Sequence, residues 1–274
     1  MIIDFHCHAG KGDLLSAPAS TNAPIEPYLR RARAAGIDKT VVVAGFNSDY
    51  ARANAEVARI VARHPEQLIG FAFVHCKRDR GRIRLMIERS VREWGFRGIK
   101  VHGVEGLPTR EVCDAARALH LPMLVDVTGQ AQVVDMFAPQ YPDVDFVIAH
   151  LGSFVDDFRA LQQVVDQLVR YPNVYADTSA VRRFDYIVDA VKRAGPRKLL
   201  FGTDGPWLHP ALEKYKIRLL NLAPENEALI LGGNALRLLQ KTRGRGRTSG
   251  AARTPGLLSH GSPRIARSTS LTEY

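Results

Sequence analysis

The sequence predicts an α/β fold, a (β/α)8 TIM barrel followed by a basic C-terminal tail expected to be disordered. Three observations predict it. Eight segments rich in Val, Ile, Leu and Phe recur before residue 205, each with the near-continuous apolar character of a strand covered on both faces. Amphipathic stretches with apolar residues at spacings of three and four lie between them. Histidines and aspartates gather at the C-terminal ends of these segments, where the strands of such a barrel converge on one mouth.

In order, the predicted strands are 2–8, 40–45, 68–75, 98–102, 122–127, 145–150, 174–178 and 198–204. The first runs Ile2-Ile3-Asp4-Phe5 into His6-Cys7-His8, and the second carries Val41, Val42 and Val43 in a row. The third, fourth and sixth end on His75, His102 and His150. The fifth and seventh carry Asp126 and Asp177, and the eighth ends on Asp204. Helices are predicted over 50–63, 82–94, 156–170 and 186–193, with Pro65, Pro172 and Gly195 marking ends. A doubly wound open sheet is the competing architecture, but Gly10-Lys11-Gly12 is too sparse for a phosphate loop after the first strand. The long connection 9–24 is expected to lie over the mouth and shape access. A closing helix is expected over 225–240, so residues 1–240 form the barrel and 241–274 the tail.

The net charge of +10 belongs mainly to that tail. Lys241 and six arginines stand there against Glu273, which leaves about +4 for residues 1–240. A segment of Gly, Ser, Thr, Pro and Arg buries too little apolar surface to fold alone. It can touch acidic surfaces weakly, but no nucleic-acid partner is expected. No apolar run reaches the roughly eighteen residues that span a bilayer, and no leader is expected ahead of the first strand. Three widely spaced cysteines without a CxxC fit a reducing, cytoplasmic compartment.

Alternate side chains of a strand share a face, so His6 and His8 point one way and Cys7 the other. Two imidazoles at a strand end suit a borderline metal such as zinc. Asp126, Asp177 and Asp204 join His102 and His150 around the same mouth. Lys100 shares the parity of His102 and is expected inside the barrel as an ion-paired residue; a carbamylated, bridging lysine would instead demand two metals. Asp177 is expected to hold a ligand histidine from behind. Arg182, just after strand seven, is a candidate clamp for a substrate carboxylate.

The chain resembles the amidohydrolase superfamily, in particular the amidohydrolase-related group that includes aminocarboxymuconate-semialdehyde decarboxylase-like enzymes. The matching pieces are Asp4-Phe5-His6-Cys7-His8, Gly98-Ile99-Lys100-Val101-His102, Val147-Ile148-Ala149-His150-Leu151-Gly152, Phe201-Gly202-Thr203-Asp204 and Gly232-Gly233-Asn234-Ala235. The resemblance implies one divalent metal ion, zinc or alternatively manganese, with His6, His8 and Asp204 as ligands. It implies that His150 contacts substrate or the attacking water, or completes the metal shell; Asp204 and His150 are expected to be catalytic, and His102 and Arg182 to meet a small-molecule substrate, including a carboxylate. The family usually places a ligand histidine on strand five. Asp126 stands there instead and is expected as a carboxylate ligand. The implied activity is hydrolysis of a C–N or C–O bond by a metal-activated water, with non-oxidative decarboxylation of an unsaturated or aromatic acid as the alternative. A TatD-like phosphoesterase would carry a glutamate on strand four, where Lys100 stands. A metal-free binding barrel and a homo-oligomer are further readings that the sequence leaves open.

Overall fold

The computed structural model describes residues 1–13 and 21–245. Its strands are β1 (Ile3–Ala9), β2 (Lys39–Ala44), β3 (Leu68–Gly70), β4 (Ala72–Phe73), β5 (Ile99–His102), β6 (Met123–Asp126), β7 (Phe146–Ile148), β8 (Val174–Asp177) and β9 (Leu199–Leu200). Every pairing between consecutive strands is parallel, with β1 to β3 in one ladder and β4 to β9 in another.

Two seams join the ladders into a barrel. At the first, segment 68–73 changes partner at Phe71: Phe71 N donates to Val42 O at 3.0 Å, and Ala72 N donates to Gly98 O at 2.9 Å. That segment is therefore one stave of eight. At the second, Phe5 N donates to Phe201 O at 2.9 Å, Asp204 N to His6 O at 2.7 Å and His8 N to Gly205 O at 2.6 Å. The sheet is closed, as the TIM-barrel reading requires and a doubly wound sheet would not be.

The strands are buried on both faces, which is why they are continuous apolar runs. The helices cover the outside. Helix α1 (Ile25–Ala34) leads to β2, and α2 (Tyr50–Arg63) is capped by Asp49, whose carboxylate accepts from Ala51 N at 2.9 Å and Arg52 N at 3.2 Å. α3 (Ile83–Trp94), α4 (Arg110–Leu119) and the short α5 (Val134–Phe137) follow. α6 (Phe158–Arg170) begins two residues later than expected because Asp157 is its cap, and it buries Leu161, Val164, Val165 and Leu168 on one face. α7 (Phe184–Ala194) and α8 (Pro210–Arg218) complete the ring.

The closing helix is not the single element expected over 225–240. It consists of α9 (Pro224–Ala228), a π-helical turn (Leu229–Gly233) and α10 (Asn234–Arg245). A Cβ on Gly232 would lie 2.3 Å from Met1 O, so this turn packs directly on the start of β1. Asn234 Nδ2 then donates to Leu199 O at 2.7 Å and Pro196 O at 2.8 Å, tying the helix to β9. α10 continues past Gln240, and Lys241 Nζ meets Asp145 Oδ2 at 2.8 Å. The predicted tail beyond Arg245 lies outside the described residues. Among the described residues no helix is long and apolar enough to cross a membrane.

Behind the second seam, Asp4 is fully buried and accepts from Thr203 N at 2.9 Å, Thr203 Oγ1 at 2.8 Å, His6 N at 3.1 Å and the Tyr28 hydroxyl. Gly205 leaves room for this arrangement, since a Cβ there would lie 2.3 Å from the Tyr28 ring. Gly205→Ala should displace Tyr28 and destabilise the barrel by about 1–3 kcal/mol, as overpacking does. Thermal unfolding should show Tm lower by roughly 2–12 °C; an unchanged Tm would mean that the seam does not depend on this contact.

Candidate metal centre

The strand ends converge on a cavity of about 550 Å³ whose walls include His6, His8, Lys100, His102, Asp126, His150 and Asp204. β1 supplies both histidines of the opening pair. Asp204 and His150 lie just past the ends of β9 and β7 rather than within the strands, with φ of 52° and 56°. Left-handed backbone is unfavourable for residues with a Cβ and concentrates where a site over-determines it. Here it turns both side chains into the cavity. Across the sheet, His102 is in register with Asp126, which places the two side by side.

Each imidazole's partners assign its tautomer. His6 Nδ1 donates to Asp177 Oδ2 at 2.9 Å, and His8 Nδ1 donates to Ala44 O at 2.9 Å. Both Nε2 atoms are therefore lone-pair donors facing the cavity. They lie 3.7 Å and 3.3 Å from Asp204 Oδ1. Burial lowers the pKa of both imidazoles, that of His6 to about 4 with Lys100 adding to the effect, so both are neutral near pH 7. A neutral Nε2 facing a carboxylate oxygen sets acceptor against acceptor, an arrangement that a shared cation stabilises. Donors about 2.05 Å from a tetrahedral ion stand about 3.3 Å from one another, close to the spacings here. The donor set fits a divalent metal.

His150 is different. Its Nδ1 donates to Ser179 O at 3.0 Å, and its Nε2 faces Asp126 Oδ2 at 3.6 Å. Burial disfavours its charge, but Asp204, Asp126 and Asp177 outweigh burial and raise its pKa. His102 has the opposite tautomer: Nδ1 accepts from Val104 N at 3.3 Å, so Nε2 carries the proton and donates to Asp126 Oδ2 at 3.1 Å. Asp126 Oδ1 accepts from Thr128 N at 2.7 Å. Burial works against ionisation of Asp126, Asp177 and Asp204, yet the neighbouring histidines hold all three below the usual carboxylate range, Asp177 at about 2.

Ligand atoms within reach of one ion form two groups among the described residues, His6–His8–Asp204 and His6–His150–Asp177. The second uses atoms already committed to one another: Asp177 Oδ2 holds His6, while Ser179 Oγ donates to Asp177 Oδ1 at 2.5 Å and touches the Nδ1 atoms of His6 and His150. Asp126 belongs to neither group; its oxygens serve His102, His150 and Thr128. Arg182 does not line the cavity, because its Nε donates to Asp156 Oδ2 at 2.7 Å on the surface. Two other histidines are spent on turns: His75 Nδ1 accepts from Arg78 N at 3.1 Å, and His209, the cap of α8, accepts at Nδ1 from Ala211 N. Lys100 is fully buried with Nζ 2.9 Å from His6 Nε2, so its partner is a histidine, with Asp126, Asp177 and Asp204 nearby. Sequence reasoning missed Ser179 and the rim aromatics Phe46, Phe154 and Trp207. Ser179 was findable, since it stands two residues after Asp177.

No curated protein matches this chain. Solved structures do. A zinc-bound amidohydrolase from Burkholderia multivorans superposes with a TM-score of 0.71 at 15% identity, covering 88% of this chain and 99% of that one. A dihydroxybenzoic acid decarboxylase from a Polaromonas species, with manganese and the inhibitor 2-nitroresorcinol, gives 0.66 at 18% identity over 87% and 96% of the two chains. A probable 2-pyrone-4,6-dicarboxylic acid hydrolase from Acinetobacter baumannii with citric acid bound gives 0.66 at 16% identity over 87% and 99%. These likenesses show the barrel fold. The amidohydrolase family model matches residues 3–241, nearly the whole described chain, and the chain therefore belongs to the amidohydrolase family.

Proposed function

We propose that this chain is a metal-dependent hydrolase acting on a C–N or C–O bond of a small molecule, with one divalent ion held by His6, His8 and Asp204. The observation that carries this reading is the pair of Nε2 lone pairs, fixed from behind by Asp177 and Ala44 O, facing Asp204 Oδ1. Zinc suits two imidazoles and a carboxylate, and manganese is the alternative ion. The ion would supply Lewis acidity, lowering the pKa of water and polarising a substrate oxygen.

The protein's own groups then divide the proton work. Asp204 stays ionised, so it serves as the anionic ligand and as the acceptor of the proton that attack releases. His150, with its raised proton affinity, donates from Nε2 to the leaving atom or to a developing oxyanion. Asp126 orients His150 on one side and His102 on the other. His102 lines the wall where a substrate's polar group would sit. Phe46, Phe154 and Trp207 offer an apolar face to the rest of the substrate. That aromatic rim also supports a second reading, decarboxylation of an aromatic or unsaturated acid by the same groups. The three cysteines are unpaired and buried, which fits a reducing, cytoplasmic setting.

Purified protein should carry about one divalent metal per chain. Replacing His6 and His8 together by alanine should remove the metal and leave the barrel folded. In a screen of lactones, amides and carboxylic acids, chelation should abolish turnover and added zinc or manganese should restore it. Absence of metal, with no affinity on reconstitution, would sink the reading.

Asp177→Asn should weaken metal affinity about 10–100-fold, because it loses the acceptor that fixes the His6 tautomer. Chelator competition would measure this, and an unchanged affinity would show that His6 needs no such support. Asp126→Asn should leave metal affinity within about threefold while lowering kcat by about 10²-fold or more, the scale of a proton-transfer partner. A large loss of metal affinity in this variant would instead make Asp126 the ligand that its place on strand five implied.

A further inference from the structure

We propose that Lys100 is a built-in cation that competes with the metal ion for His6, so that this lysine sets how tightly the centre holds metal. The inference rests on the metal reading above and adds a residue that limits affinity.

Lys100 stands on β5 in a row with Phe73 and Leu124 and is fully buried. Its Nζ lies 2.9 Å from His6 Nε2. Because His6 Nδ1 is committed to Asp177, Nε2 holds the ring's free lone pair, and Lys100 already takes it. A metal ion would need the same lone pair at about 2.0–2.1 Å. One lone pair cannot serve an ammonium and a metal together, so binding of the ion requires Lys100 to withdraw. The ion's charge opposes it as well, since two cations would stand within a few ångströms of each other in a buried site.

The lysine has a reason to be there. The buried carboxyl groups of Asp126, Asp177 and Asp204 surround it, and unpaired buried carboxylates are costly. The ammonium offsets part of that charge and holds the floor together without an ion. The result is a centre that is assembled before metal arrives and gives up affinity in exchange.

The test is the zinc affinity of the full-length protein by competition with a chromophoric chelator at one fixed pH, for wild type, Lys100→Met and Lys100→Gln. Lys100→Met keeps the length of the side chain and removes the charge; it should bind zinc at least tenfold more tightly. Lys100→Gln keeps a neutral donor toward His6 and should fall between the two. Metal-free variants should melt below wild type, and zinc should restore more of the Tm in the variants than it adds to wild type. If Lys100→Met does not fold, Lys100→Gln carries the comparison. Unchanged affinity in a folded variant, with wild type binding zinc, overturns the inference. Weaker affinity also overturns it and marks the lysine as a ligand. Failure of all three proteins to bind zinc overturns the metal reading and this inference with it.

Discussion

The seam between the first and last strands is the constraint on which the site depends. Asp204 N bonds to His6 O, and Thr203 bonds through both its amide and its hydroxyl to Asp4. These contacts bring residues about two hundred positions apart into one plane of the barrel mouth. Without them His6 and His8 would be two imidazoles at a sheet edge, and Asp204 would belong to a distant loop. Long-range closure of this kind costs chain entropy that the buried apolar staves must offset. The polar seam then fixes where the last stave sits, which burial alone, being non-directional, does not do.

Charge is distributed around that seam in a consistent way. Two histidines are kept neutral by burial, which outweighs the acceptors behind them, a third is kept ready to carry a proton by three nearby carboxylates, and a fourth donates to Asp126. The four rings have different settings: at Nδ1 a carboxylate for His6, carbonyls for His8 and His150, and an amide N–H for His102, with three carboxylates around His150. Asp126 faces two of these histidines, His102 at 3.1 Å and His150 at 3.6 Å.

Much of this was legible in the sequence, for identifiable reasons. The helix over 50–63 is found where its period places it. The pair His6 and His8, with Asp204, stood out because strand parity and order along the chain are preserved into three dimensions. The backbone that presents Asp204 and His150 was not legible, since left-handed φ at a non-glycine residue has no sequence signature and both residues seemed to lie within their strands. His75 and His209 show the same limit from the other side. They stand at or after strand ends, as the cavity histidines do, but local amide donors claim their Nδ1 atoms. Arg182 follows the end of β8 by five residues, yet Asp156 captures it. At the break in the closing helix Gly232 packs on Met1, a long-range contact that no local period encodes.

The cavity joins two kinds of surface. Its floor is crowded with ionised carboxylates, while its rim exposes Val104, Phe154, Val155 and Trp207, with Val155 at 74% and Val104 at 72% of full exposure. Apolar side chains left in water at a concave mouth favour a partner that covers them. A substrate seated there would displace water from the rim, and removing water strengthens every electrostatic interaction at the floor. Apolar contacts at the rim would therefore act on the chemistry without touching the reacting bond. On the proposed reading, discrimination among substrates would reside in the loops that carry Phe46, Phe154 and Trp207, and reaction type in the strand ends. That division matches a family in which one barrel serves several small-molecule reactions.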